Sequence, residues 1–189
     1  QIIHGAPFDI FLAADSFRPK LLEKEGLGVQ GTRFTYALGR LALWSLNSKI
    51  LFKNDLKVLN QKNFRYLAIA NPKTAPYGKA AEQVLRKKGL WKKIQTRLVR
   101  GENISQTFQF VFTGNAEMGF IAFSQFARKQ SQLKGYFLTI PKDWHNPIRQ
   151  QAILLKRAKA NKLALNFINF LQNKRTKKII ESYGYSHEY

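Results

Sequence analysis

The sequence predicts an α/β fold with mostly parallel sheets arranged in two lobes, and three observations predict it. Apolar runs of strand length alternate with segments of helical period almost throughout. Those runs are apolar at consecutive positions rather than alternate ones, as strands covered on both faces are. Two of the longest, Thr35 to Leu46 and Met118 to Phe123, bracket a middle section that reads as a small lobe of its own. The lobes are therefore expected at 1–40 with 123–189 and at 41–122, with a ligand cleft where they meet. There is no internal repeat and no Gly/Ser/Pro-rich linker.

Composition narrows the function classes. A chain of 189 residues can bury a sizeable core, and 44% apolar with 13% aromatic residues excludes a disordered chain. Lys plus Arg number 32 against 11 Asp plus Glu, a net charge of +21. Such a field draws in nucleic acid, anionic lipid or small anions without choosing among them. The absence of cysteine excludes disulfides and thiolate metal sites, and is compatible with a periplasmic or secreted protein. Arg40 interrupts the most apolar segment, so no run reaches the roughly 18 residues of a membrane span. The start, Gln1-Ile2-Ile3-His4, has neither an initiator Met nor a signal pattern, and any targeting segment is expected outside the chain.

Taken in order, Phe8 to Ala14 is expected as a buried strand, and Asp15 or Ser16 as the cap of a helix over 17–25 that Gly26 ends. Thr35 to Leu46 reads as one long strand, Lys57 to Phe64 as a helical turn, and Tyr66 to Ala70 as a strand. A helix runs from Tyr77 or Gly78 to about Lys88, where Gly89 stops it. A short amphipathic turn (Leu90 to Ile94) and a strand (Thr96 to Arg100) follow. Phe108, Val111 and Phe112 share a helical face, and Thr113-Gly114-Asn115 ends that helix. Met118 to Phe123 is a strand, Ser124 caps a helix to about Gln132, and Tyr136 to Ile140 is a strand closed by Pro141. Gln151 to Leu155 is the last strand, before a helix carrying Leu163, Ala164, Phe167, Ile168 and Leu171 and another over Lys174 to Tyr183.

Chemistry is sought first in catalytic constellations, and none is found. His4, His145 and His187 share no metal-ligand spacing, no Gly-x-Ser-x-Gly elbow, Walker loop or Gly-x-Gly-x-x-Gly occurs, and Asp9, Asp15, Glu102 and Glu117 form no forced pair. The chain is not expected to be an enzyme. Its basic residues are dispersed over polar helix faces without an RNP or recognition-helix pattern, which reads as solvated surface rather than a nucleic-acid interface.

The informative stretch is Asn71-Pro72-Lys73-Thr74-Ala75-Pro76-Tyr77-Gly78, a strand end, a tight turn and a helix start. Two prolines stiffen the turn, and Gly78 lets backbone come close to whatever sits there. The open first-turn amides and the dipole of such a helix suit an anion, although an ordinary strand-to-helix turn has the same pattern. A second helix start near Ile104 follows another strand of the same middle section. In a parallel sheet both starts fall at the carboxyl edge, where ligands bind.

Five segments in one order carry a resemblance. They are Gly5-Ala6-Pro7-Phe8-Asp9-Ile10-Phe11-Leu12-Ala13-Ala14-Asp15, Ala75-Pro76-Tyr77-Gly78, Gly101-Glu102-Asn103-Ile104-Ser105-Gln106, Met118-Gly119-Phe120-Ile121-Ala122-Phe123-Ser124 and Tyr183-Gly184-Tyr185. Together with Pro147-Ile148 to Lys159, they resemble the periplasmic molybdate-binding proteins of molybdate ABC transporters over essentially the whole chain.

That resemblance implies a two-lobed type II periplasmic-binding-protein fold that captures molybdate or tungstate with neutral hydrogen-bond donors and delivers it to the membrane permease of an ABC importer. It implies a periplasmic monomer with no cofactor, no nucleic-acid partner and no metal held as a cation. Tyr77 matches a position supplying a backbone amide, and Ile104 an aliphatic position contributing its N–H. Ala122 stands where some members place a tyrosine hydroxyl, so that contact is absent. Members also carry a strand-helix-strand unit of about 30 or more residues before the Gly-Ala-Pro-Phe-Asp run, which brings the first lobe's Ser/Thr/Asn donors. The fold is accordingly expected to be N-terminally incomplete, with the 41–122 half of the site present. The alternative is an anion-sensing or other oxyanion-binding module of the same fold, and a nucleic-acid-binding protein using the +21 charge comes third.

Overall fold

The computed structural model describes residues 1–47, 50, 55–61, 64–127 and 133–188. The strands are β1 (Ile10–Ala13), β2 (Phe34–Gly39), β3 (Leu41–Ser45), β4 (Leu67–Ala70), β5 (Leu98–Gly101), β6 (Met118–Ala122), β7 (Tyr136–Thr139) and β8 (Ile148–Leu154). The helices are α1 (Phe17–Lys24), α2 (Pro76–Lys87), α3 (Trp91–Ile94), α4 (Ile104–Phe112), α5 (Phe123–Ala127), α6 (Lys162–Gln172) and α7 (Lys174–Ser182). They form two units, Gln1–Gly39 with Ile148–Tyr189, and Arg40–Pro147.

The first unit is a three-stranded antiparallel sheet in the order β1-β8-β2. Side chains alternate across it as the pleat requires. Ile153 and Phe11 pack with Leu22 of α1, while Ala152, Leu154 and Ile10 pack with Ala164, Ile168 and Leu171 of α6. Asn161 caps α6 by accepting from the Leu163 and Ala164 amides, and Asn173 caps α7 by accepting from Thr176. The expected buried strand at Phe8 to Ala14 is shorter and half-covered, because β1 is an edge strand and Leu12 is 42% exposed. Before α1 it is Asp15 that accepts, from the Arg18 amide at 2.8 Å, whereas Ser16 makes no capping bond.

The second unit is a five-stranded mixed sheet in the order β5-β4-β6-β3-β7. β4 is parallel to β5 and to β6, and β3 is antiparallel to β6 and β7. Parallel pairing is thus confined to three strands, and the expectation of mostly parallel sheets does not hold. β3, β4 and β6 are buried at every residue, so their continuous apolar composition follows from two covered faces. Trp44 on β3 stacks on Phe108 of α4 with ring centroids 4.9 Å apart, seating α4 on the sheet.

Further expectations are corrected. Thr35 to Leu46 is not one strand: it divides at Arg40, giving β2 to the first unit's sheet and β3 to the second's. The Arg40 carbonyl accepts from the Phe123 amide at 2.8 Å, outside either ladder. Residues 123–147, expected with the terminal lobe, belong to the middle unit, because β7 is hydrogen-bonded to β3. The helical turn expected from Lys57 is a 3-10 turn, Lys57–Asn60. The helix expected to reach Gln132 is described over Phe123–Ala127, and 128–132 lie outside the described residues. Among the described residues no helix is long and apolar enough to cross a membrane.

Candidate functional site

β4 and β5 run in parallel register from Leu67 opposite Leu98 to Ala70 opposite Gly101. Each leads through a short turn into a helix, β4 into α2 and β5 into α4, so both helix starts lie at the carboxyl ends of adjacent parallel strands. The Asn71 amide donates to the Gly101 carbonyl at 2.7 Å, one residue beyond the ladder, and ties the two turns together.

The turn before α2 closes on Asn71. Its carbonyl accepts from Thr74 (3.2 Å) and Ala75 (2.8 Å), and its Oδ1 accepts from Lys73 at 3.1 Å. Pro76 is the first helical residue and has no N–H, and Ala75 caps without a side-chain bond. Tyr77 comes next, 4% exposed, followed by Gly78. What approaches Gly78 is protein: a Cβ there would stand 2.6 Å from the Ala70 carbonyl carbon and 2.8 Å from that of Asn71. Glycine lets α2 begin directly against the end of β4.

α4 begins more tightly. Asn103, in extended conformation, accepts from the Gln106 amide at 2.9 Å, and Gln106 reaches back to accept from the Glu102 amide at 2.6 Å. The Thr107 amide and hydroxyl both donate to the Asn103 carbonyl, at 3.1 and 2.9 Å. A side chain at Gly101 would come within 2.8 Å of the Thr107 amide and hydroxyl, so the strand end fits beneath the first turn only as glycine. Asn103 therefore satisfies the third and fourth helical amides. The N–H groups of Ile104 and Ser105 have no acceptor among the described residues.

The structure brings Tyr77 and Ile104 to equivalent places, the starts of α2 and α4 on neighbouring strands, as the sequence suggested. Neither helix carries a carboxylate in its first turn to compete with a bound anion. Ala122 ends β6, 3% exposed, its amide donating to Gln125 Oε1 at 3.1 Å. Sequence reasoning passed over Ser105 as a backbone donor and Gln125 altogether. The Asn103-x-x-Gln106 spacing is the signal that would have marked Ile104 and Ser105 as the amides left open. Among the described residues no His/Asp/Glu group is placed to hold a metal ion.

Known proteins resemble the whole chain. Residues 1–186 match the family described as bacterial extracellular solute-binding protein. The chain is 47% identical over 186 residues to the molybdate-binding protein ModA of Azotobacter vinelandii, covering 98% of this chain and 73% of that one. It is 41% identical over 185 residues to the Rhodobacter capsulatus protein of that name, covering 98% and 71%. Among solved structures, the A. vinelandii periplasmic molybdate-binding protein matches with a TM-score of 0.92 and 34% identity, over 100% of this chain and 82% of that one. The substrate-binding domain of a putative molybdenum ABC transporter from Clostridium difficile matches with a TM-score of 0.77 and 28% identity, over 100% and 81%. These relatives are type II periplasmic binding proteins.

Proposed function

We propose that this chain, which belongs to the bacterial extracellular solute-binding protein family, binds molybdate or tungstate on the periplasmic side and hands it to the membrane permease of an ABC importer. The observation that carries the reading is the start of α4, where the Ile104 and Ser105 amides have no acceptor among the described residues, beside the start of α2 on the adjacent parallel strand, in a chain 47% identical to a molybdate-binding protein. Tyr77 and Ile104 are the proposed contacts, each through its backbone amide.

Neutral donors suit this ligand. An oxyanion entering the site loses hydration, and first-turn amides replace it with fixed dipoles already aimed at negative charge. A lysine or arginine there would bring its own desolvation penalty. No bond is made or broken, so the protein's work is capture and release, performed as a monomer without a cofactor. Molybdate and tungstate are nearly the same size and present the same oxygens, so both should bind; sulfate, being smaller, should sit loosely among donors set for longer metal–oxygen bonds.

Calorimetric titration with molybdate, tungstate, sulfate and phosphate tests this. Molybdate and tungstate should bind with similar affinity and sulfate far more weakly. Equal affinity for sulfate and molybdate would sink the reading.

A further inference from the structure

We infer that Gln125 is a positioning residue for the oxyanion site, the middle link of a hydrogen-bonded series of amides that orients and polarises the Ser105 N–H as a further donor; this rests on the function proposed above. Gln125 lies on α5, just past the end of β6, and is partly buried. Its Oε1 accepts from the Ala122 amide at 3.1 Å, and its Nε2 donates to the Ile104 carbonyl at 3.3 Å. One side chain thus spans from the last residue of β6 to the first residue of α4, with both ends of its amide engaged.

The Ile104 carbonyl and the Ser105 N–H are opposite ends of one planar peptide group. Holding the carbonyl therefore fixes the direction of that N–H. The series runs from the Ala122 N–H to the Gln125 amide, then to the Ile104 carbonyl and out through the Ser105 N–H, each dipole pointing the same way. Amides joined in this manner polarise one another, so the final donor is stronger than an isolated one. That final donor is open: Ser105 N–H has no acceptor among the described residues, whereas the Gln106 and Thr107 amides beside it are taken by Asn103.

A plain tether between α5 and α4 would need only the contact; the relay needs a donor at Nε2. Gln125→Glu separates the two, since it keeps the shape and the acceptor for Ala122 but cannot donate to Ile104 while ionised. Gln125→Met removes both bonds. The measurements are the ¹H–¹⁵N shift of the Ser105 amide in the ligand-free protein, the molybdate Kd by calorimetry and the thermal midpoint. In both variants the Ser105 proton should move upfield and the Kd should weaken about tenfold, the effect of one ordinary hydrogen bond. For Gln125→Glu the affinity should recover as pH falls from about 7 to about 4, through the ordinary carboxyl range, and the side chain regains a donor proton, while Gln125→Met stays weak throughout. An unchanged Ser105 shift, or a lowered thermal midpoint with wild-type affinity, overturns the relay. If wild-type protein binds none of the oxyanions, the proposed function falls and the Ser105 shift alone decides the relay.

Discussion

Tyr36 on β2 donates its hydroxyl to Gln150 Oε1 at 3.1 Å, and burial, with a smaller contribution from nearby Tyr185, pushes its phenol up to about 12. A raised phenol favours the neutral form, so its contribution to stability is complete below about pH 10 and is lost as pH climbs toward 12. The denaturant midpoint of the wild type should fall more steeply than that of Tyr36→Phe between about pH 10 and 12, and parallel curves would count against this. Glu23 shows the opposite sign. The Arg33 side chain hydrogen-bonded to it, at 2.7 Å, holds its carboxyl below the usual range against the effect of burial, and the Gly31 amide adds a bond at 3.1 Å. None of these pairs was legible in the sequence. Tyr36 and Gln150 lie 114 residues apart, on strands from opposite ends of the chain, and only the β2–β8 ladder makes them neighbours.

Elements were more legible than contacts. The start of α2 could be read from Pro76, Gly78 and the Ala80, Ala81, Val84, Leu85 face, because proline at the first helical position and a helical apolar period are local properties. The role of Gly78 could not, since its neighbour is the Ala70 carbonyl of the preceding strand rather than an incoming ligand. Gly78→Ala must therefore push α2 off the end of β4, where backbone cannot yield. A loss of about 1–3 kcal/mol in unfolding free energy is expected, with oxyanion affinity falling alongside it; calorimetry and chemical denaturation check both, and wild-type values for each would refute the tight-fit account. The false reading of Thr35 to Leu46 as one strand has a plain cause. Apolar continuity reports coverage on both faces but not which sheet does the covering, and a single residue, Arg40, separates strands of two sheets.

At the scale of the molecule, the net charge of +21 acts on encounter rather than on fold. Attraction between a dianion and this field is screened over about 10 Å at 0.1 M salt. The association rate for molybdate should therefore drop several-fold between low and moderate ionic strength while dissociation changes little. Stopped-flow fluorescence can follow it through Trp44, Trp91 and Trp144, and a salt-independent association rate would contradict the steering. The α/β class, the division into two units and both helix starts of the candidate site were readable because each rests on local periodicity or on segments in a fixed order. The unit limits and the antiparallel strands were not, because they depend on which distant strand pairs with which.

The order of β1-β8-β2 also has a bearing on how the chain acquires its structure. The middle strand of that sheet is the last strand described, and each of its neighbours is hydrogen-bonded to it rather than to the other. The Arg40–Pro147 unit, by contrast, is one uninterrupted stretch. As a chain made from its N-terminus lengthens, that unit has all its described strands before residue 148 exists, whereas the ladders of β1 and β2 with β8 close only across more than a hundred residues. Closing so long a loop is slow relative to local contacts. In refolding, amide protection in the contiguous Arg40–Pro147 unit should therefore appear before protection of the β1-β8-β2 ladders, and simultaneous protection would contradict this order.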